Sequence, residues 1–322
     1  MTDPPTVSVV MATRGRRSAL RRWVAATLAG DDVLEAVVVV DRDIDGSVGE
    51  LEALAAEHPR LRPLLSSGQG QFQALQTGVE QSRGDVVLLL DDDVILAPWT
   101  AAGHARVHQA RAGRVVLGYM PVSLPSSRRR GQAPTWLYAG DYEWQCDQYT
   151  KDPSQVLEHL WAGNVSLRRA DCLRVGLEGA PAGRHADRDF GLRCKAAGLE
   201  GFFDPSLRAQ HLFARTFEEY LGDADASGRG NWNLHQAHPG LGPLGQRELT
   251  AHIPAPAAAA VVAGAGRPNR PVVWTLCRVA DIAGLVRWWK LESVAAMTAS
   301  HTIQLHVIRQ LDRGQEGGPV PR

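Results

Sequence analysis

The stretch GDVVLLLDDDVIL, residues 84–96, runs five apolar residues into three aspartates and then turns apolar again. An unbroken apolar run of this length, rich in Val and Leu, is the signature of a strand buried on both faces. A second such run, EAVVVVDRDIDGS at 35–47, also ends in aspartates. Carboxylates gathered at the ends of buried strands repel one another and lose hydration, so they call for a cation, a proton or a ligand.

Working outward from these two runs, the first hundred residues alternate strands with helices. VSVVMA (7–12), AVVVVD (36–41), LRPLLS (61–66) and DVVLLLD (85–91) read as strands. SALRRWVAATLAG (18–30), GELEALAAEH (49–58) and QFQALQTGVEQS (71–82) read as the helices between them. This order predicts an α/β domain with a mostly parallel sheet and helices on both faces, in which ligands bind beyond the carboxyl ends of the strands. Both aspartate clusters fall at those ends.

Regular patterning fades over 120–160, a Pro-, Arg- and aromatic-rich stretch that reads as a lid or a set of short elements. WAGNVSLRRADCLRVG (161–176) reads as strand then helix, HADRDFGLRCKAAG (185–198) as a helix from Asp187, and GFFDPSLRAQHLF (201–213) as a strand. The expected organisation is a catalytic domain over 1–215, a helical segment at 216–250, and an Ala/Pro/Gly-rich linker at 251–271. A C-terminal helical pair at 272–313 and a flexible tail at 314–322 complete it.

Composition narrows the class. The chain of 322 residues balances 35 basic against 35 acidic residues, which argues against a general nucleic-acid binder. Its four cysteines form no CxxC pair, as expected of a reduced, cytoplasmic protein without structural zinc. No apolar run approaches the ~20 residues of a membrane span. Trp274, Trp288 and Trp289 beside Arg287 and Lys290 allow peripheral membrane contact, while the same helices could form a homodimer.

For the chemistry, a few hard oxygen ligands at a strand end suit Mg2+ or Mn2+ bound together with phosphate oxygens. A solvated turn with helix-capping aspartates is the plain alternative for the triplet alone. DIDGS followed by VVLLLDDD also resembles the haloacid-dehalogenase phosphatases, but its aspartate starts beyond the strand end and no lysine precedes Lys151. A sugar nucleotidyltransferase would need a glycine- and lysine-bearing phosphate loop, which MATRGRRSA lacks.

Six motifs in order resemble the family 2 glycosyltransferases of GT-A fold. VSVVMATRGR (7–16) is similar to the family's first strand and turn, with Thr13 and Arg16 matching. AVVVVDRDIDGS resembles the strand ending in DDGS, placing Asp41, Asp45, Gly46 and Ser47 at the matched positions. GQFQALQTGVEQSRGDVVLLLDDD (70–93) is similar to the family's helix and DxD strand, although Leu75 and Gln76 stand where Arg and Asn are usual. WAGNVSLRR resembles the acceptor-side segment, HADRDFGLRCKAAG the helix that carries the base, and AQHLF the histidine that binds metal.

The resemblance implies an inverting, metal-dependent, non-processive transferase that moves one sugar from a nucleoside diphosphate sugar to an acceptor hydroxyl. Asp187 would be the catalytic base. Thr13, Arg14, Arg16, Asp41, Asp45, Gly70, Asp91 and Asp92 would bind the nucleotide sugar, with Asp93 and His211 holding Mn2+ or Mg2+. Trp161, Asn164, Asp189, Trp136 and Trp144 would lie on the acceptor side. A UDP-sugar is the donor favoured, and a small-molecule, lipid-linked or protein acceptor is expected. A catalytically weak nucleotide-sugar binding protein is the alternative, since Ala12, Leu75 and Ala186 replace family residues.

Overall fold

The computed structural model describes residues 4–30, 32–68, 70–179, 183–242, 244, 246–250, 253–266 and 270–314. The elements follow the expected alternation: β1 (Val7–Thr13), α1 (Arg17–Thr27), β2 (Val33–Asp41), α2 (Ser47–Glu57), β3 (Leu61–Ser66), α3 (Gln71–Gln81), β4 (Val86–Leu90). Then come β5 (Val94–Leu96), α4 (Thr100–Ala110), β6 (Arg114–Tyr119), α5 (Ala133–Lys151), α6 (Gln155–Glu158), β7 (Asn164–Arg168), α7 (Arg169–Val175), α8 (Ala186–Ala196) and β8 (Glu200–His211). The elements that follow are helices: α9 (Phe217–Ala237), α10 (Gln246–Thr250), α11 (Ala255–Gly264), α12 (Arg270–Leu285) and α13 (Trp289–Asp312).

Two compact units emerge. The first comprises residues 1–123, 143–179 and 187–212, and the second comprises 124–142, 180–186 and 213–322. The first unit holds a sheet of order β3-β2-β1-β4-β7-β6-β8-β5. Strands β3, β2, β1 and β4 are parallel. The chain steps outward from β1 to β3, and α3 then returns it to the other flank of β1, which puts a topological switch point between β1 and β4. Every residue of β1 is buried, so both faces of the sheet are covered. Gly78 permits the close packing of α3, since a Cβ there would come 2.5 Å from Val10 Cγ1.

Beyond β4 the sheet is mixed rather than parallel. Strand β7 runs antiparallel to β4 with Asn164 opposite Leu90, so it begins where β4 ends. Consequently the residues just before β7 abut the aspartate triplet.

At the opposite end of the sheet Glu35 has no solvent-accessible side chain and takes hydrogen bonds from Ser8 Oγ (2.7 Å), Arg62 Nη1 (2.8 Å) and the Arg83 backbone (2.6 Å). Burial opposes its ionisation, but the bonds from Arg62, Ser8 and Arg83 outweigh it and hold the carboxyl below the usual range.

In the second unit, α9 opens with a capping box between Thr216 and Glu219. Leu249, Ile253, Val261, Ala265, Leu305 and Ile308 form its core. Arg128 Nη2 pairs with the buried Glu292 at 2.7 Å, tying the segment before α5 to α13. The expected linker contains α11, because alanine favours helix and Pro256 sits in its first turn, where the missing N–H costs nothing. From residue 315 onward the expected flexible tail lies outside the described residues. Among the described residues no helix is long and apolar enough to cross a membrane.

Candidate functional site

Thr13 closes β1, Asp41 closes β2, and Asp91–Asp93 follow β4, so one edge of the sheet collects the acidic side chains. His211 reaches the same edge because of an irregularity in β8. The β6–β8 register jumps from Gly118 opposite Asp204 to Tyr119 opposite Arg208, across Pro205, which cannot donate to the ladder. Past this bulge β8 pairs with β5, setting His211 opposite Val94. His211 Nε2 then lies 3.1 Å from Asp93 Oδ1.

The triplet is anchored on all sides. Thr13 Oγ1 donates to Asp92 Oδ2 at 2.8 Å, and Arg16 spans Asp92 Oδ1 (3.3 Å) and Asp93 Oδ2 (3.2 Å). Gln71 Nε2 donates to Asp91 Oδ1 at 2.9 Å, a contact the sequence reading missed. Its signal was position, since Gln71 is the first helical residue after Gly70.

Burial raises Asp91 to about 6, with the charges of Asp93 and Asp92 adding to it. Burial also raises Asp92 against the opposing pull of Arg16 and Thr13. For Asp93 burial acts upward too, yet the hydrogen bond and charge of His211, with Arg16, bring it below the ordinary value.

Asp187 belongs to the same cluster. The Ala162 backbone N donates to Asp187 Oδ2 at 3.3 Å, while the next residue, Gly163, accepts from the Asp91 backbone N at 3.3 Å. Two consecutive residues ahead of β7 therefore hold the Asp91 backbone and the Asp187 carboxylate. Gly163 has φ 122, and a Cβ on it would sit 2.8 Å from Asp91 Oδ2, so only glycine fits.

Asp187 is sunk in protein yet partly accessible. Burial raises its carboxyl to about 7, with Asp91 contributing. Backbone N–H groups at the start of α8 favour the ionised form, as expected of a helix N-terminus, but desolvation outweighs them.

The other residues named from the sequence divide. Asp41 takes bonds from Ser66 Oγ (3.1 Å) and Gly70 N (3.4 Å), and Arg14 Nη1 stands 3.9 Å from its second oxygen. Asp45 is engaged locally, accepting from Arg17 N (2.9 Å) and Ser47 Oγ (2.6 Å), bonds that fix the starts of α1 and α2. Leu75 is a core residue, and Gln76 accepts from Leu177 N, so neither stands in for the arginine and asparagine usual there.

On the expected acceptor side, Asn164 turns inward instead of lining a surface. It is fully buried, donates to Leu207 O at 3.0 Å and meets His104 Nε2 at 3.1 Å. His104 donates through Nε2, so it accepts from Ser166 Oγ at Nδ1, and Ser166 in turn accepts from His108 Nε2 at 2.8 Å. Burial lowers the two histidines to about 3 and about 4, so both are neutral. Asp189 is likewise spent, paired with Arg193 at 2.9 Å and 2 % exposed. Trp161 is partly exposed and Trp144 exposed in the first unit, whereas Trp136 lies in the second, 6.0 Å beneath Arg128.

The donor set suits a hard divalent cation. A carboxylate and an imidazole converge, and the neighbouring Asp91 has a raised pKa that a cation would relieve. Among the described residues no cluster of three His, Cys, Asp or Glu side chains is assembled. Mg2+ and Mn2+ sites with one or two protein ligands draw the rest from water and substrate phosphate.

Residues 8–159 match the family model described as glycosyl transferase family 2. Over 94 residues the chain is 36% identical to an undecaprenyl-phosphate 4-deoxy-4-formamido-L-arabinose transferase of Pseudomonas syringae pv. syringae, covering 27% of this chain and 28% of that protein. It is 32% identical to the protein of the same name in Shewanella sediminis, again over 27% of this chain and 28% of that one. The chain thus spans little more than a quarter of these relatives' length.

Its fold is similar to that of the mannosyltransferase PcManGT from Pyrobaculum calidifontis in complex with GDP-Man and Mn2+. The TM-score is 0.60 at 17% identity, with 93% of this chain and 86% of that chain covered. This likeness fits the mixed α/β sheet of a GT-A glycosyltransferase with helices C-terminal to it. The stretch 8–159 is thus what this chain shares with glycosyl transferase family 2.

Proposed function

We propose that the chain transfers one sugar, with inversion, from a nucleoside diphosphate sugar to an acceptor hydroxyl in a divalent-ion-dependent, non-processive reaction. The observation that carries this reading is the joint hold on Asp91 and Asp187 by Gly163 and Ala162, beside an Asp93–His211 pair at 3.1 Å.

Asp187 acts as the base. With a carboxyl at about 7 it is partly ionised at neutral pH and basic enough to take a proton from an attacking alcohol. The alcohol oxygen bonds to the anomeric carbon as the bond to the diphosphate breaks, and the proton passes to Asp187. Nucleoside diphosphate leaves from the opposite face, so the configuration inverts.

Asp93 and His211 would hold Mn2+ or Mg2+, which when bound supplies charge neutralisation for the diphosphate. Arg14 and Arg16, with exposed side chains at the β1–α1 turn, lie where they can donate to phosphate oxygens. Asp41 accepts from the donor's base, and Thr13 fixes Asp92. The relatives' name, an undecaprenyl-phosphate transferase, supports a lipid-linked acceptor among the classes expected.

The test is release of nucleoside diphosphate from a panel of UDP-, GDP- and dTDP-sugars with Mn2+ and with chelator. Ion-dependent release from at least one donor is expected. Donor binding with no release, and no transfer to any acceptor, would instead favour a catalytically silent binding protein.

A further inference from the structure

In the second unit, the exposed large hydrophobic side chains concentrate at one place. Trp274, Ile282, Leu285, Val286, Trp288 and Leu291 all lie between residues 274 and 291, whereas the others in the chain are dispersed. Trp274, Arg278, Ile282 and Leu285 recur along α12 at the spacing that puts side chains on one helix face. The stripe runs into the turn to α13, where Val286 and Trp288 are exposed by 64% and 66%. Between them Arg287 has φ 59, a left-handed conformation that arginine seldom adopts. An apolar tip of this kind on a soluble surface marks an interaction site.

Charge identifies the occupant. Arg278, Arg287 and Lys290 are exposed around the tip. The acidic side chains nearby are already engaged, Asp281 by Arg130 and the buried Glu292 by Arg128 and the Gly131 backbone. Among the described residues no acidic side chain pairs with Arg287 or Lys290. A second copy meeting this tip about a two-fold axis would bring the same cations against themselves. An anionic lipid surface meets both requirements at once, because tryptophan rings settle at the headgroup level and basic residues draw in acidic headgroups.

We propose that the α12–α13 tip docks on an anionic membrane surface, with Leu285, Val286 and Trp288 entering the headgroup region and Arg278, Arg287 and Lys290 contacting acidic lipids. Docking of this kind is interfacial, with apolar side chains sunk ~5–10 Å into the headgroup boundary. The inference stands on the second unit alone and is independent of the glycosyl-transfer reading.

The experiment is co-sedimentation of the full chain with vesicles of phosphatidylcholine alone or mixed equally with phosphatidylglycerol, with tryptophan emission followed in parallel. Binding to the anionic vesicles, with a blue shift and loss at high salt, is expected. The Val286→Asp/Trp288→Asp double variant should bind roughly tenfold or more weakly, and Arg287→Gln/Lys290→Gln roughly fivefold weaker per charge removed. All these side chains are exposed, so the unfolding temperature should not change. Asp187→Asn should bind vesicles like the wild type.

Equal affinity for neutral and anionic vesicles would overturn the proposal, as would undiminished binding by the aspartate variant. A dimer seen by light scattering, dissolved by the same variant and accompanied by no vesicle binding, would assign the tip to a second copy.

Discussion

His211 Nε2 approaches Asp93 Oδ1 to 3.1 Å although the two residues lie far apart in the chain, and the irregularity around Pro205 is what brings them together. The pair gives the acidic sheet edge an imidazole, which lowers the pKa of Asp93 while burial raises that of Asp91. Asp93→Asn and His211→Ala should each weaken Mn2+-dependent binding of nucleoside diphosphate by roughly 10- to 100-fold. Calorimetry with and without the ion checks this, since without it the variants should match the wild type.

As the proposed base, Asp187 with its carboxyl raised to about 7 makes activity pH-dependent. The ionised form is the active one, so kcat/KM should rise with pH through about 7 and level off above it. Stability should run the opposite way. The folded state holds this proton above the pH at which an unfolded aspartate releases it, so the contribution of Asp187 is lost as pH rises from about 4 to 7. Asp187→Asn should therefore raise the melting temperature at pH 8 and leave it unchanged near pH 4, as scanning calorimetry can read.

Gly163→Ala places a methyl group against Asp91 Oδ2 and Met120 at a positive φ. A non-glycine residue in a left-handed conformation costs about 1–2 kcal/mol, and the collision displaces Asp91. Denaturant unfolding should register that loss, and turnover should fall by more than the loss of folded protein explains.

Glu35 gives a contrasting case. Glu35→Gln removes a charged acceptor from Arg62 and Arg83 at the end of the sheet away from the acidic edge, and should cost about 2–3 kcal/mol. Because the carboxyl is held below its ordinary range, its contribution is present at neutral pH and disappears on acidification. The variant should lose the corresponding acid sensitivity while its donor affinity stays unchanged.

Much of this architecture is legible in the sequence where burial and periodicity agree. β1, β2 and β4 carry long apolar runs because both faces are covered, and the aspartates ending the runs of β2 and β4 mark the carboxyl edge at once. The helix α5 was not legible. Its buried stripe consists of Thr135, Ala139, Tyr142, Gln145, Cys146 and Tyr149, so helical spacing is present without a run of strong hydrophobes to reveal it.

The site shows the same division. Asp91, Asp92, Asp93, Asp187 and His211 could be picked out as side chains in motifs. Ala162 and Gly163 act through backbone groups that any sequence supplies, and Gln71, although inside the matched stretch 70–93, is not one of the residues that carry the match. Asn164 was put on the acceptor side by resemblance alone, whereas in the structure His104 and Leu207 satisfy it in the core.

The most direct measurement is a comparison of wild type and Asp187→Asn in single-turnover sugar transfer and in donor binding, on the same preparation. If Asp187 takes the acceptor proton, the rate should fall ~10²- to 10⁴-fold while the dissociation constant for the donor stays within about twofold. Transfer by the asparagine variant at close to the wild-type rate would contradict the account.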